Sequence, residues 1–277
     1  MSADIEFRTI KIWNDRIDMR VQIKGQGDPL LYLHPAGGLG WDPFLNELAR
    51  DHTVYAPEFP GTTPGNINAI HELDDIFDVV LAYEEAARKL GVTGGSVVGQ
   101  SFGGMIAAEL ASSFPNLFSK VVLLDPAGLW LDDHPANMTI MACPPQAIGP
   151  ILFHDLSCPG AQALFAQPDD PDVALDNTAH LIWTMGCTFK FLWPIPDRGL
   201  RKRLYRVSAP TLVVWGEQDA LIPVAHGHEF ARLIPNSRLE LVANCGHIPQ
   251  LEQPAITIPL VRDFLLTSIG SSPGTPL

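Results

Sequence analysis

Gly99-Gln100-Ser101-Phe102-Gly103 has the G-x-S-x-G pattern of a nucleophile elbow, a sharp turn that carries a serine from a strand into a helix. The flanks supply that context. Ser96-Val97-Val98 is apolar and β-prone, and Met105-Ile106-Ala107-Ala108-Glu109-Leu110-Ala111 reads as a buried helix. A serine in so strained a turn tolerates no side chain two residues to either side, which glycine at 99 and 103 satisfies. Gly104 lets the helix begin close to the strand.

Outward from the elbow, the chain alternates strand and helix signals. β-prone residues at 5–13 and 17–24 flank Asn14-Asp15 and predict a hairpin. Pro29-Leu30-Leu31-Tyr32-Leu33-His34 followed by Pro35-Ala36-Gly37-Gly38 and a helix over about 41–50 starts a parallel βα series. A strand over Val54–Pro57 exits into a Pro/Gly-rich loop. The periodicity of Leu73, Ile76, Phe77, Val80, Leu81 and Leu90, stopped by Gly91, predicts a helix over 71–90. Further strands are expected at Lys120–Pro126, Pro210–Gly216 and Leu239–Val242, with helices at about 224–233 and 254–268. Between 128 and 207 the beat is lost, the composition turns to Pro, Trp, Phe and Met, and a helical pattern runs over 172–185. The expected organisation is a core of 1–127 and 208–269, a helical cap inserted at 128–207, and a flexible tail at 270–277. The fold class is α/β, a mostly parallel twisted sheet flanked by helices.

A length of 277 residues and 46% hydrophobic content suit one α/β core. The net charge of −13 argues against nucleic acid and anionic membrane partners, which reward clustered Lys and Arg. Cys143, Cys158, Cys187 and Cys245 show neither a disulfide framework nor metal-ligand spacing and read as reduced thiols. No metal or cofactor is expected. The N-terminal residues lack a secretory pattern and no run reaches membrane-spanning length, so a cytoplasmic location is expected.

A serine hydroxyl needs a base, and the base needs a group to orient it. Asp219 ends a strand in the turn Gly216-Glu217-Gln218-Asp219, and His247 follows the last strand after Cys245-Gly246. The order Ser101, Asp219, His247 is therefore the expected catalytic set. Asp125 also ends a parallel strand and is the rival acid. Asp219 is preferred because its turn leads into Ile222-Pro223 and presents a short acid from a strand end. Negative charge on a carbonyl oxygen would be met by the Phe102 N–H and by a second N–H from the loop after residues 30–34.

Together His34–Gly38, Gly99–Gly103, Gly216–Asp219 and Gly246–His247 resemble the α/β-hydrolase superfamily over nearly the whole chain outside the cap. The resemblance implies that fold, a serine nucleophile, and membership of a capped branch similar to esterases and carbon–carbon bond hydrolases. It implies that Ala36 supplies the second oxyanion N–H. Pro35 departs from the glycine usual after the histidine, and His34 is expected to tie the loop down. Ser101 argues against dehalogenases and epoxide hydrolases, which use aspartate. Carbon–carbon hydrolases typically carry tryptophan after the catalytic histidine, where this chain has Ile248. The expected activity is hydrolysis of a small carboxylic ester through an acyl-enzyme, with the small-molecule ester as partner. The alternatives are carbon–carbon hydrolysis of a diketone-type acid, a cofactor-free perhydrolase, and a non-enzymatic ligand receptor on the same fold. Within the cap, Trp130, Trp183 and Phe189 are the candidate substrate-lining residues, and Arg198, Arg201, Lys202, Arg203 and Arg206 read as a solvated hinge face.

Overall fold

The computed structural model describes residues 4–144 and 147–267. Strands β1 (Glu6–Ile12) and β2 (Ile17–Lys24) form the predicted hairpin. Trp13, Asn14 and Asp15 turn it with φ of 57°, 54° and 61°. Then come β3 (Asp28–Leu33), α1 (Pro43–Leu48), β4 (His52–Pro57), α2 (Ile76–Leu90), β5 (Ser96–Gln100), α3 (Phe102–Ser113) and β6 (Lys120–Leu124). After β6 the chain makes α4 (Gly149–Leu152), α5 (Pro159–Leu164) and α6 (Pro171–Leu192). It returns to the sheet with β7 (Thr211–Gly216), α7 (Ala225–Leu233), β8 (Ser237–Val242), α8 (Pro249–Glu252) and α9 (Pro254–Leu266).

The eight strands form one sheet in the order β1-β2-β4-β3-β5-β6-β7-β8. β2 is antiparallel to both β1 and β4, and every other pair is parallel. β5, β6 and β7 are buried along their whole length, which explains their continuous apolar runs. One apolar core packs α2 and α3 against one face, with Val97, Val121 and Val213 pointing into it. The other joins α1 and α9 to Val98, Val122 and Val214 on the opposite face. The alternation of neighbouring residues between two cores is the period-2 geometry of a doubly covered sheet.

α2 begins at Ile76, not at 71. Asp75 caps it, Oδ1 accepting from Phe77 N–H (2.8 Å) and Asp78 N–H (3.1 Å), and a separate 3-10 turn spans Ile67–Glu72. Phe77 consequently faces solvent. α6 extends the predicted 172–185 by seven residues at its C-terminus, to Leu192. Between β6 and β7 there is no strand among the described residues. The tail at 270–277 lies outside the described residues. No helix among the described residues is long and apolar enough to cross a membrane.

In the basic cluster near the end of the insertion Arg198, Arg201, Lys202 and Arg206 are exposed, as a solvated face requires, and several arginines of the cluster also fasten the segment to the core. Arg203 grips Glu109 of α3 with Nε at 3.0 Å and Nη2 at 2.6 Å. Arg206 donates to Ser112 O (2.8 Å), and Arg201 pairs with Glu229 of α7 (2.6 Å).

Candidate active site

Ser101 sits between β5 and α3 with φ 54° and ψ −114°, a region that side chains rarely occupy. Neighbouring backbone holds it there: Ser101 N–H donates to Leu124 O (2.9 Å), and Ala127 N–H donates to Ser101 O (3.0 Å). The glycines are required by close approach. A Cβ on Gly99 would lie 2.4 Å from Gly103 O, and one on Gly103 would lie 2.0 Å from Leu33 O. A Cβ on Gly104 would meet Pro126 Cβ at 2.8 Å.

The three expected residues converge at the carboxyl edge of the sheet. His247 Nε2 is 2.8 Å from Ser101 Oγ, and its Nδ1 is 2.7 Å from Asp219 Oδ2. All three are buried. The other Asp219 oxygen accepts from Leu221 N–H (2.8 Å) and Ile222 N–H (2.9 Å), so its charge is met by three donors. A carboxylate on Nδ1 demands the N–H there and leaves Nε2 free to accept from the serine hydroxyl. Asp125 does not take that place: its Oδ1 accepts from Gly216 N–H (2.9 Å).

The loop after β3 brings Ala36 into the same cavity. Ala36 N–H and Phe102 N–H donate to no other group among the described residues, and Thr188 Oγ1 of α6 holds the Ala36 carbonyl (3.0 Å). Gly38 N–H closes a turn on Pro35 O (3.1 Å). His34 lies beneath, its Nε2 accepting from Phe59 N–H (3.0 Å) and its Nδ1 donating to Pro35 O (2.7 Å). Both ring nitrogens are used, and burial pushes its pKa down. That fits tying β3 to the exit of β4.

A cavity of about 1200 Å³ opens on Ser101 and His247. Its far wall comes from the insertion, with Thr178, Leu181, Met185, Phe189 and Leu192 on one face of α6. Of the three cap residues singled out in the sequence, Phe189 lines the cavity and Trp130 and Trp183 do not. At 100° per residue Trp183 falls on the far side of α6, where its indole donates to Gly61 O (2.8 Å). Trp130 packs against the main core and donates to Asp132 (3.1 Å). Among the described residues no Lys or Arg lines the cavity, and Asp42 is its one carboxylate besides the buried relay. Asp42 caps α1 by accepting from Leu45 N–H (2.8 Å), and burial pushes its pKa up to about 6.

The only His/Cys/Asp/Glu grouping among the described residues tight enough for a cation is Asp125, Asp219 and His247. Both His247 nitrogens and both Asp219 oxygens already serve protein hydrogen bonds, so the set is a hydrogen-bonded relay and not a chelate.

The profile of the Alpha/beta hydrolase family matches residues 30–259, covering the strands from β3 to β8, the elbow and the histidine loop. The chain belongs to that family. A 2-hydroxy-6-oxo-6-phenylhexa-2,4-dienoate hydrolase of Burkholderia cepacia is 25% identical to it over 276 residues, spanning 87% of this chain and 88% of its own. A membrane phospholipase A described as a bacterial virulence factor superposes with a TM-score of 0.76 at 21% identity, covering 94% of this chain and 86% of that one. An esterase from Rhodococcus sp. ECU1013 gives a TM-score of 0.68 at 19% identity, covering 95% and 98%. At these identities the structural likeness is one of fold.

In this alpha/beta hydrolase the histidine loop is fixed by residues that motif reading missed. His247 N–H donates to Leu152 O of α4 (2.8 Å), and Gln100 Nε2 donates to His247 O (3.1 Å). Glu252, buried at the end of α8, accepts from Gly246 N–H (2.7 Å) with one oxygen and from Asp155 N–H (2.6 Å) with the other. Gln218 Oε1 accepts from Cys245 N–H (3.0 Å). Gln100 lies inside the elbow motif and Gln218 inside the turn that presents Asp219, so both stand within stretches read for other residues. Glu252 stands five residues past His247, in a short helix that belongs to no motif.

Proposed function

We propose that the protein is a serine esterase whose substrate is a neutral, largely apolar carboxylic ester. The observation that carries this is the Ser101–His247–Asp219 relay opening into an apolar cavity that no Lys or Arg among the described residues lines. Ser101 Oγ attacks the ester carbonyl as His247 Nε2 takes its proton, and Asp219 steadies the imidazolium that forms. The N–H groups of Ala36 and Phe102 receive the developing oxyanion, helped by the N-terminus of α3. Collapse expels the alcohol oxygen, which takes the proton back from His247. Water activated by the same histidine then releases the acid from the acyl-enzyme. The insertion between β6 and β7 acts as a cap that excludes bulk water and selects the acyl or alcohol portion.

Carbon–carbon hydrolysis is the second reading, because the Burkholderia relative is named for a dienoate. Such a substrate carries a carboxylate, which needs a cationic or multiply donating partner once desolvated. Among the described residues the cavity offers no Lys or Arg for it; its polar lining is the Asp42 carboxyl with amide and imidazole groups such as Gln162, Gln167 and His180, and Ile248 follows the histidine. Both features favour the neutral ester.

The test pairs a fluorophosphonate probe with a substrate panel. Mass spectrometry should place the adduct on Ser101, and p-nitrophenyl esters should be turned over with kcat/KM well above that of a ring-fission dienoate. An adduct elsewhere would refute the nucleophile, and preference for the dienoate would replace the ester by the second reading.

A further inference from the structure

The Asp125 carboxyl takes part in none of these steps, yet it is fully buried beside them. It leaves the end of β6, next to β7, with its N–H on Val214 O (3.0 Å) and its Oδ1 on Gly216 N–H (2.9 Å). It is thus bound to the strand end that presents Asp219. Its Oδ2 is buried and receives no hydrogen bond from any donor among the described residues. Donor atoms of Asp125, Asp219 and His247 lie within 4.8 Å of one another.

Two buried carboxylates this close do not both ionise, so one keeps a proton. The donor count says which. Asp219 is met by two backbone N–H groups and the His247 Nδ1–H, whereas Asp125 is met by one. The titratable groups facing Asp125 are Asp219 after β7, His247 and Cys245 after β8, and Glu252 of α8, with no Lys or Arg among the described residues to hold a second charge. Burial and the Asp219 charge push the Asp125 carboxyl far above the ordinary carboxylate range. A neutral acid with a bare Oδ2 has a proton to donate, and the Asp219 carboxylate is the neighbouring acceptor.

We propose that Asp125 is a protonated carboxylic acid that donates from Oδ2 to the Asp219 carboxylate, a positioning residue one step behind the Ser101–His247–Asp219 relay. The role rests on the relay reading above. The proton leaves a single negative charge beside His247. A second one would raise the histidine's basicity and hold it as imidazolium, unable to take the Ser101 proton.

The experiment is infrared difference spectroscopy of the full-length protein, wild type against Asp125→Asn at pH 8, with the pH profile of ester kcat/KM for both. A protonated-carboxyl C=O band should be present in the wild type and missing from Asp125→Asn. The His247 pKa read from the acid limb should stay in place, because the amide removes no charge and donates as the acid did. Asp125→Ala, which removes the donor, should lower kcat by about 10–100-fold, the size expected for one hydrogen bond to a charged group. Asp125→Asn should recover most of that loss. Absence of the band, or a fall of the His247 pKa by about one unit or more in Asp125→Asn, would show an ionised Asp125 and overturn the proposal. If Asp125→Ala does not fold, the band and the pKa decide alone. The band reads the resting protein, so it stays decisive for the Asp125 proton even if Ser101 is not the residue acylated.

Discussion

At Ser101 the backbone carries the strain and the side chain carries the proposed chemistry, and substitution separates the two. Ser101→Ala keeps Cβ and the strained turn, so its Tm should stay near the wild type while kcat for an ester falls by about 10⁴–10⁶. Steady-state assays and calorimetry on the same preparation check both halves. Asp219→Asn should lower kcat by about 10⁴, since an amide in that place favours the wrong imidazole tautomer. Single-turnover acylation is the measurement. Asp42 gives a prediction in pH. Its carboxyl, raised to about 6 by burial, is ionised at pH 7 and mostly neutral at pH 5. The kcat/KM of a neutral ester relative to a matched sulfonate-bearing ester should therefore rise from pH 5 to pH 7. Taking the ratio removes any pH dependence that the two substrates share. In Asp42→Asn the ratio should be flat.

At the scale of an element, α6 does two jobs on two faces. Leu181, Met185 and Phe189 line the cavity, while Trp183 and Thr188 fasten the helix to Gly61 O and Ala36 O. The two faces should separate in kinetics. Leu181→Ala and Met185→Ala should shift the acyl chain-length profile toward longer esters, by about 1–3 kcal/mol per well-filled contact. Trp183→Phe keeps an aromatic body but loses the bond to Gly61, and should leave the profile's shape as it is. A set of p-nitrophenyl esters of graded length reads this directly. An unchanged profile in all three variants would reduce α6 to a structural lid.

Across the whole molecule, the segment between β6 and β7 is held to the sheet layers at two places. Leu152 O of α4 accepts from His247 N–H and Glu252 of α8 accepts from Asp155 N–H just past α4, while the returning chain is clamped by Arg203 on the buried Glu109 of α3. Removing one partner of such a pair leaves the other desolvated. Glu109 keeps the carboxyl in Arg203→Ala, so the variant should lose about 3 kcal/mol of stability. Urea denaturation gives the total, and hydrogen exchange should show the loss spreading from residues 198–206 into α3.

The parts of this protein that one sequence determines are those whose constraint is local. The elbow was legible because Gly99, Ser101 and Gly103 satisfy one turn, and the buried strands because a doubly covered sheet requires unbroken apolar runs. Ser101, Asp219 and His247 could be nominated because each stands just past a strand, and parallel strands deliver their carboxyl ends to one edge. The same logic nominated Asp125, and only the tertiary structure separated the two acids. β6 and β7 lie side by side, and the few ångströms that put Asp219 on His247 and Asp125 on Gly216 N–H are set by the path of the turn. Trp183 and Phe189 looked alike in composition, but helix phase turned one to Gly61 and the other to the cavity. Neither the Glu252 contact to Asp155 nor the Arg203 contact to Glu109 was legible, because these partners lie 97 and 94 residues away and such pairings exist only once the chain has folded.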